Sequence, residues 1–368
     1  MSKEIDELLR GVVETLQVDE LEKHLASGKS PVIKAGFDPT TADLHLGHVV
    51  LLNKLRTFQD MGHVVKFVVG DFTGTIGDPS GRDVTRPPML KEELRQNANS
   101  YAEQAFKVLD RGATEVLFNS DWLEKLLLAD VLHLSAQHTV ARMLERDDFS
   151  QRYAARQTIG LHEFLYPLMQ GYDSVVLSCD VEIGGTDQKF NLLVGRHLQK
   201  VWKQQPQVVM MMPILVGLDG KRKMSKSLDN YVGITEEPSS MYGKLMSLSD
   251  ESMWSYFELL SRFSVKEIND LKVSLAEGGN PRDVKMVLAR ELVAYFHSRA
   301  KAQNAEADFI ARFRHNQIPD EIELRELIIE GSSLPLFTVL KMSSLTASST
   351  EASKHLSLIH ISEPTRPY

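Results

Sequence analysis

Short apolar runs alternate with helical stretches throughout residues 1–235 of this 368-residue chain. Strand-like runs occupy 32–37, 63–70 and 116–118, and helical patterns occupy 47–61 and 90–111 between them. Strands and helices that alternate at this length are typical of βαβ units, which build parallel sheets covered by helices. The sequence therefore predicts an α/β fold with a doubly wound, Rossmann-like parallel sheet that binds a nucleotide.

The rest of the first domain extends this pattern. Apolar residues at helical spacing over 5–16 predict an amphipathic opening helix. Residues 122–170 are mostly helical in pattern and predict a helical insertion in the sheet domain. Strands are then predicted at 175–177 and 207–216, with a helix over 187–202 between them.

The strand signal ends near residue 231, and only helical patterns follow. We expect a first domain over 1–235, an all-α domain over 236–335, and a linker or the start of a truncated small domain over 336–355. Residues 356–368 resemble the conceptual translation of a sequencing adapter, so we treat them as a non-native tail outside the fold. The predicted helices of the second domain cover 241–246, 254–260, 265–276 and 281–312.

The charge balance narrows the class of partners. Lys and Arg total 42 against 50 Asp and Glu, a net charge of −8, which argues against an indiscriminate nucleic-acid coat. A local basic face stays open because phosphate binding is local, and solvated helix faces are the alternative. The candidate clusters are Arg142, Arg146, Arg152 and Arg156, and Lys200 with Lys203.

Cysteine content and hydropathy exclude further classes. Cys179 is the only cysteine, which excludes an intrachain disulfide and a cysteine-based zinc site, and we expect it to be a buried small hydrophobe. The first six residues are too charged for a signal peptide. No apolar run approaches the roughly 18 residues of a membrane span. We therefore expect a cytoplasmic protein that does not enter a membrane.

Two histidines stand where the first predicted strand gives way to a helix. His45 and His48 are three residues apart, so they share a face if the helix has begun. Unpaired N–H groups at a helix start favour phosphate, and Gly47 leaves room for a nucleotide against the backbone. Such a motif alone can be a structural accident.

A basic loop lies about 175 residues later, after the last predicted strand. It contains Lys223-Met224-Ser225-Lys226-Ser227, preceded by glycines that favour mobility. Lysine is a compact cation that can follow moving phosphate charge. A basic surface loop is the alternative for an isolated match, but with the histidines it predicts two imidazoles and two ammonium groups around the triphosphate of ATP.

Two further patterns carry polar groups. Tyr166, Gln170 and Asp173 fall on one face of a predicted helix, which is unusual for a surface that faces a core. Residues 184–188 follow a strand and begin a helix, and Gly185 allows adenosine to approach the backbone. Asp187 is placed to accept hydrogen bonds from ribose hydroxyls. An ordinary turn and helix cap is the alternative for this second pattern.

The histidine and lysine motifs together resemble those of class I aminoacyl-tRNA synthetases. Four further segments narrow the resemblance to bacterial tyrosyl-tRNA synthetases that carry HLGH with KMSKS, and the match spans roughly 34–231. Tryptophanyl-tRNA synthetases share the ATP motifs but place an apolar residue where Gln170 stands, so Gln170 favours tyrosine. The four segments are 36–40, 77–81, Tyr166 with Gln170 and Asp173, and 184–188.

The resemblance implies roles for individual residues. Tyr166, Gln170 and Asp78 would hold the substrate ammonium, and Asp173 would accept the phenol hydroxyl. Asp38 and Thr40 are similar to residues near the ammonium and the phosphates, and Asn119 and Trp122 belong to a segment that lines the cleft, although core packing is equally compatible with Trp122. The residues assigned to ATP are Gly36, Gly47, Gly185, Asp187, Gln188, Met224, Ser225 and Ser227.

One departure from the family pattern concerns the phenol. Lys34 stands where the better-known form has a tyrosine near the substrate hydroxyl. The lysine either points away or contacts the phenol itself, so the second contact to that hydroxyl stays open.

The implied reaction joins L-tyrosine and ATP to tyrosyl-adenylate and pyrophosphate, and then transfers the tyrosyl group to tRNA(Tyr). His45, His48, Thr40, Lys223 and Lys226 would be the catalytic residues, and Mg²⁺ would arrive with ATP without a dedicated protein site. The domains would be a catalytic domain with an anticodon-stem-binding helical domain and a truncated RNA-binding domain. The family is a homodimer built through the insertion near 122–170.

Other functions are alternatives to this reading. A tryptophanyl-tRNA synthetase would keep the ATP motifs, and a small-molecule nucleotidyltransferase would share the histidines but lack the lysine motif and the Tyr166 helix face. A catalytically silent synthetase-like RNA-binding protein usually loses the histidines or the lysines, and this chain keeps all four.

Overall fold

The computed structural model describes residues 3–28, 30–40, 42–80, 91–315, 334–346 and 348–353. The adapter-like tail at 356–368 lies outside the described residues, as do 316–333 of the predicted all-α domain and the end of the predicted linker. The chain forms two compact units, residues 1–310 and residues 311–368. Within the second unit, the described helical residues are the end of the helix Arg299–His315, the helix Leu336–Met342, and residues 349–353.

The described elements follow the predicted alternation of strands and helices. The strands are β1 Glu14–Leu16, β2 Ile33–Phe37, β3 Val65–Val69, β4 Thr114–Phe118, β5 Val181–Gly185 and β6 Val208–Met212. The helices are α1 Lys3–Leu9, α2 Val18–Ala26, α3 Leu46–Asp60, α4 Thr73–Ile76, α5 Lys91–Ala105, α6 Ser120–Leu123, α7 Leu128–Ser135, α8 Val140–Met143, α9 Asp147–Ala154, α10 Leu165–Val176, α11 Lys189–Val201, α12 Pro238–Met246, α13 Met253–Leu260, α14 Val265–Ala276, α15 Pro281–Phe296, α16 Arg299–His315 and α17 Leu336–Met342.

The six strands form one sheet in the order β1-β6-β5-β2-β3-β4. All neighbours pair in parallel except β1, which runs antiparallel to β6. The direction in which the chain adds strands reverses between β2 and β5, and ligands bind at such switch points in open α/β sheets. The predicted doubly wound fold is confirmed, and its switch point lies at the carboxyl ends of β2 and β5.

Two sequence predictions about the sheet are wrong. The opening helix ends at Leu9, since Gly11 adopts a left-handed φ of 68°, and the chain continues into the edge strand β1. Residues 175–177 belong to the end of α10 instead of a strand, because a short apolar run does not distinguish a buried helix from a strand. The strand comes next, as β5, after a left-handed turn at Ser178.

The hydrophobic core is continuous from the sheet into the helices that follow it. Ile33 and Leu46 belong to the same buried cluster as Tyr242, Phe257 and Leu288. The predicted helix at 281–312 is divided in two, because His297 leaves helical geometry between α15 and α16. None of the described helices combines the length and the apolar character that crossing a bilayer requires.

Candidate active site

A cavity of about 360 Å³ opens at the carboxyl ends of β2 and β5. Every site residue predicted from the sequence lines it except Lys34. The cavity therefore brings together segments from the strand ends, the insertion and the basic loop. The predicted residues that line it are Gly36, Asp38, Thr40, His45, Gly47, His48, Asp78, Tyr166, Gln170, Asp173, Gly185, Asp187, Gln188, Lys223, Met224, Ser225, Lys226 and Ser227.

The two histidines meet because His45 caps helix α3. The backbone N–H of Gly47 donates to His45 Nδ1 at 3.1 Å, and the backbone N–H of His45 donates to His48 Nδ1 at 3.2 Å. This reciprocal arrangement brings the ring centroids to 4.0 Å. A Cβ at Gly47 would come within 2.9 Å of His45 Cε1, so a side chain at this position would displace the ring.

The same hydrogen bonds fix the protonation of the pair. Each Nδ1 accepts, so in a neutral ring the proton lies on Nε2, which can donate to a ligand. Burial lowers the pKa of His48 to about 4, helped by the nearby Lys226 ammonium. Burial, with His48 and Lys226, also lowers the pKa of His45 well below its usual range. At neutral pH the two rings are uncharged hydrogen-bond donors.

The basic loop supplies positive charge to the same cavity. Lys226 Nζ lies 2.7 Å from Asp43 Oδ2, and Lys223 Nζ lies 3.7 Å from Asp187 Oδ2. The loop is held at its base, where the backbone N–H of Ser225 donates to Asn230 Oδ1 at 2.8 Å. Both ammonium groups are therefore anchored by carboxylates beside the cavity, on the same side as the histidines.

A second group of polar side chains lines the cavity around Asp38, Tyr166 and Asp173, and we call this part its inner end. The Tyr166 hydroxyl donates to Asp38 Oδ2 at 2.8 Å, and Thr73 donates to the other carboxylate oxygen at 2.8 Å. Burial, with the Asp38 charge, raises the pKa of Tyr166 well above its usual range, so the phenol stays protonated. The buried Gln170 Oε1 has no hydrogen-bond partner among the described residues. Such an acceptor is suited to a ligand that donates.

Asp173 is buried on the same helix, 3% exposed. Trp122 Nε1–H donates to its Oδ1 at 2.7 Å and Asn119 Nδ2–H donates to its Oδ2 at 3.3 Å. Burial raises the pKa of Asp173 to about 7, against the opposing Lys34 charge and these two hydrogen bonds. Trp122 is therefore a polar partner of the carboxylate, in addition to its packing with the insertion core.

Lys34 is the exception among the predicted residues. It is 1% exposed, and its ammonium donates to Glu182 Oε1 at 2.7 Å, across the β2–β5 pair in which the two residues are opposite each other. Burial opposes the charge, but Glu182 and other acidic groups outweigh it and leave the pKa of Lys34 raised. Of the two expectations for this lysine, the structure shows the ammonium paired with Glu182, which lines the cavity, whereas Lys34 itself does not line it.

Sequence reasoning missed several supporting residues. Thr73 and Glu182 line the cavity, and the only local signal for Glu182 is an acidic residue within an apolar strand. The reading of the arginine cluster is also wrong for two members. Arg146 and Arg152 are 5% and 1% exposed and pair with Asp148 and Glu163, so they form neither a basic face nor a solvated one. Cys179 is buried, as predicted.

Comparison with known proteins adds independent evidence. The sequence model of a family described as tRNA synthetases class I (W and Y) matches residues 26–314. The chain is 56% identical over 352 residues to the tyrosine–tRNA ligase of Idiomarina loihiensis, covering 96% of this chain and 88% of the relative. It is 57% identical over 346 residues to the tyrosine–tRNA ligase of Legionella pneumophila, covering 94% and 86%.

Solved structures agree on the fold. A C-terminally truncated mitochondrial tyrosyl-tRNA synthetase of Aspergillus nidulans superposes with a TM-score of 0.71 at 22% identity, covering 85% of this chain and 95% of that one. The tyrosyl-tRNA synthetase of Archaeoglobus fulgidus complexed with L-tyrosine gives a TM-score of 0.68 at 21% identity, covering 83% and 99%. At these identities the likeness concerns the fold.

Proposed function

The chain belongs to the class I tRNA synthetases of the tryptophan and tyrosine family, as a tyrosine–tRNA ligase, and on this basis we propose how its residues carry out the reaction. The enzyme activates L-tyrosine with ATP, forming tyrosyl-adenylate and pyrophosphate, and then transfers the tyrosyl group to tRNA. The attacking tyrosine carboxylate is already ionised. The first step therefore needs no protein nucleophile or general base, and catalysis rests on positioning and electrostatic stabilisation.

Tyrosine occupies the inner end of the cavity in this proposal. Its ammonium binds near Asp78, Tyr166 and the unpartnered Gln170 Oε1, with Asp38 held behind by Tyr166. Its phenol hydroxyl donates to Asp173, whose two oxygens are already oriented by Trp122 and Asn119. A buried acceptor that phenylalanine would leave unpaired gives the selectivity for which tyrosyl-tRNA synthetases are a standard example.

ATP occupies the outer end, with its adenosine along 184–188 and Asp187 accepting from the ribose. The Nε2–H groups of His45 and His48 donate to the phosphates, next to Thr40. Lys223 and Lys226 leave their carboxylate partners and neutralise the charge that develops on the departing pyrophosphate. Mg²⁺ arrives with ATP as part of the substrate.

The observation that carries this proposal is the shared cavity of the imidazole pair, the two loop lysines and the buried Asp173. The direct test is ATP–pyrophosphate exchange with tyrosine, tryptophan and phenylalanine as the amino acid. We expect exchange with tyrosine, none with tryptophan, and with phenylalanine only a residual kcat/KM about 10⁵-fold lower. Exchange driven by tryptophan, or by none of the three, would contradict the proposal.

The Asp173 pKa predicts how tyrosine use depends on pH. The carboxylate form accepts the phenol proton, and the free-enzyme pKa near 7 appears in kcat/KM. We therefore expect kcat/KM for tyrosine to rise with pH from about 6, to reach half its plateau near 7, and to level off above about 8. The histidines add no inflection there, since the pKa values of both lie lower.

The measurement is the kcat/KM profile in the exchange assay for the wild type and Asp173→Asn. We expect the variant to lose the inflection near neutrality. A flat wild-type profile, or the same inflection in the variant, would show that Asp173 does not set the pH dependence.

We further propose that the helices after Pro238 hold the anticodon stem of tRNA(Tyr), and that the protein acts in the cytoplasm.

We also propose that two copies of the chain associate through the insertion. The insertion carries large apolar side chains on its surface, which favour a protein partner. Because these exposed apolar side chains recur on successive short helices of the insertion, a second copy of the chain is the occupant we infer. The exposed residues are Leu127, Leu128, Leu132, Val140, Tyr153 and Leu161.

Light scattering after size exclusion tests this association. We expect a mass twice the 41.5 kDa of one chain. Leu132→Asp, at a side chain 63% exposed, should shift the protein to single chains, because a charge would be desolvated at the interface. Val273→Asp, at an apolar side chain 54% exposed on α14, is the matched control and should leave the mass unchanged. A single-chain mass for the wild type would reject the dimer.

A further inference from the structure

Both carboxylate oxygens of Asp78 are held by neighbouring side chains. Ser80 donates to Oδ1 through its backbone N–H at 2.9 Å and its hydroxyl at 2.7 Å. Gln188 Nε2–H donates to Oδ2 at 2.7 Å. The carboxylate that faces the inner end of the cavity therefore has its orientation set by Ser80 and Gln188.

Arg146, the N-cap residue of helix α9 in the insertion, hydrogen-bonds to Ser80 directly and to Gln188 through Asn191. Its Nη2 donates to Ser80 Oγ at 2.6 Å and lies 3.5 Å from Asp78 Oδ1. Its Nη1 donates to Asn191 Oδ1 at 2.9 Å, and Asn191 Nδ2–H donates to Gln188 Oε1 at 2.8 Å. One buried guanidinium thus reaches Asp78 Oδ1 through Ser80 and Asp78 Oδ2 through Asn191 and Gln188, and the two relays are joined where Gln188 Nε2–H also donates to Ser80 Oγ at 3.1 Å.

The charge of Arg146 is balanced by a neighbouring carboxylate, which is compatible with a role in orienting Asp78. An arginine near an ammonium site would repel the substrate unless its own charge is balanced. Arg146 Nε donates to Asp148 Oδ1 at 2.7 Å, and both side chains are buried. Asp148 balances the guanidinium, which leaves the charge of Asp78 available to a cationic ligand. The planar fork of arginine also fixes directions that a lysine could not.

We propose that Arg146 is a positioning residue that orients Asp78 toward the substrate ammonium. This inference rests on the proposed function, in which Asp78 binds the ammonium of tyrosine. The alternative is that Arg146 only ties the insertion to the sheet domain. The two differ in which part of the ligand is affected when Arg146 is replaced.

Two tyrosine fragments separate the alternatives. Tyramine keeps the ammonium and the phenol but lacks the carboxylate, whereas 3-(4-hydroxyphenyl)propionate keeps the carboxylate and lacks the ammonium. Calorimetric titration of the full chain gives the Kd of each. For Arg146→Gln we expect tyramine to bind about tenfold more weakly, as for the loss of about one hydrogen bond to a charged group, and the propionate to change less than twofold.

The matched control is Arg152→Gln. Arg152 is another buried arginine of the insertion, and it pairs with Glu163 outside the cavity. We expect it to lower the melting temperature as Arg146→Gln does, without separating the two fragments. Equal weakening of both fragments by Arg146→Gln, or no weakening of either, would overturn the inference.

A second variant covers the case in which Arg146→Gln fails to fold. Asn191→Leu keeps the guanidinium and its partner Asp148 but breaks the relay to Gln188. We expect the same selective loss of tyramine binding, about threefold, since one of the two relays remains; an unselective loss would overturn the inference. Wild-type protein that binds neither tyrosine nor tyramine would instead reject the proposed function itself.

Discussion

Replacement of Lys226 by alanine is expected to slow the formation of tyrosyl-adenylate by about 10²- to 10³-fold, the usual loss for one electrostatic contact to a transition state. Lys226 Nζ is paired with Asp43 at 2.7 Å, and the lysine side chain, which lines the cavity, is 20% exposed. In the proposed mechanism its contact to the phosphates strengthens as charge develops on pyrophosphate. The change should therefore lower kcat and kcat/KM together, with the tyrosine Kd within about twofold of the wild type.

Single-turnover formation of the adenylate, with a separate titration of tyrosine, measures both quantities. Lys221→Ala is the matched control, because Lys221 is an exposed lysine of the same loop that does not line the cavity. We expect it to change the rate less than twofold. A normal rate for Lys226→Ala, or a loss explained by weaker tyrosine binding, would remove Lys226 from the catalytic residues.

The second large effect is expected at Asp173. Asp173→Asn removes the charged acceptor for the phenol. It also replaces the carboxylate that accepts hydrogen bonds from Trp122 and Asn119 by an amide. A hydrogen bond to a charged group contributes about 1.5–3 kcal/mol, so kcat/KM for tyrosine should fall roughly 10- to 150-fold. Phenylalanine offers no hydroxyl, and its kcat/KM should change less than about threefold.

Pyrophosphate exchange measured with tyrosine and with phenylalanine gives the ratio of the two kcat/KM values directly. Asp71→Asn is the control, since Asp71 is a buried carboxylate that accepts two hydrogen bonds from Ser120 outside the cavity. Asp71→Asn should leave the ratio of kcat/KM for tyrosine to kcat/KM for phenylalanine unchanged. Equal losses for both amino acids in Asp173→Asn would mean that Asp173 supports the structure without reading the phenol.

The central strands of the fold were predictable because their signals are local. β2, α3 and β3 follow one another with strong periodicity, and the structure places them within a few residues of the prediction. β5 was misplaced because Glu182 interrupts its apolar pattern. The charge is tolerated in the sheet because Lys34 pairs with one carboxylate oxygen from 148 residues away in sequence, while Ser174 and Gln207 donate to the other, and no local pattern contains these contacts.

The residues of the site also divide into those with a local sequence signal and those without one. The histidine motif and the lysine motif are each a short contiguous run of sequence, so their residues could be named before the structure was known. The residues that hold them in place come from distant segments, as when Trp122 bonds Asp173 across 51 residues and Arg146 bonds Ser80 across 66. Arg146 has the same local context as a surface arginine, and only its burial against Asp148 and Ser80 distinguishes it.

The most direct test of the account is a crystal structure of the chain with a non-hydrolysable tyrosyl-adenylate analogue. The account predicts the phenol oxygen at hydrogen-bonding distance, about 2.7 Å, from Asp173, with the ammonium on Asp78 and Gln170 and the phosphate mimic beside His45 and Lys226. An analogue bound with its phenol away from Asp173, or seated in the neighbouring cavity of about 820 Å³ beside Arg142 and His197, would contradict it.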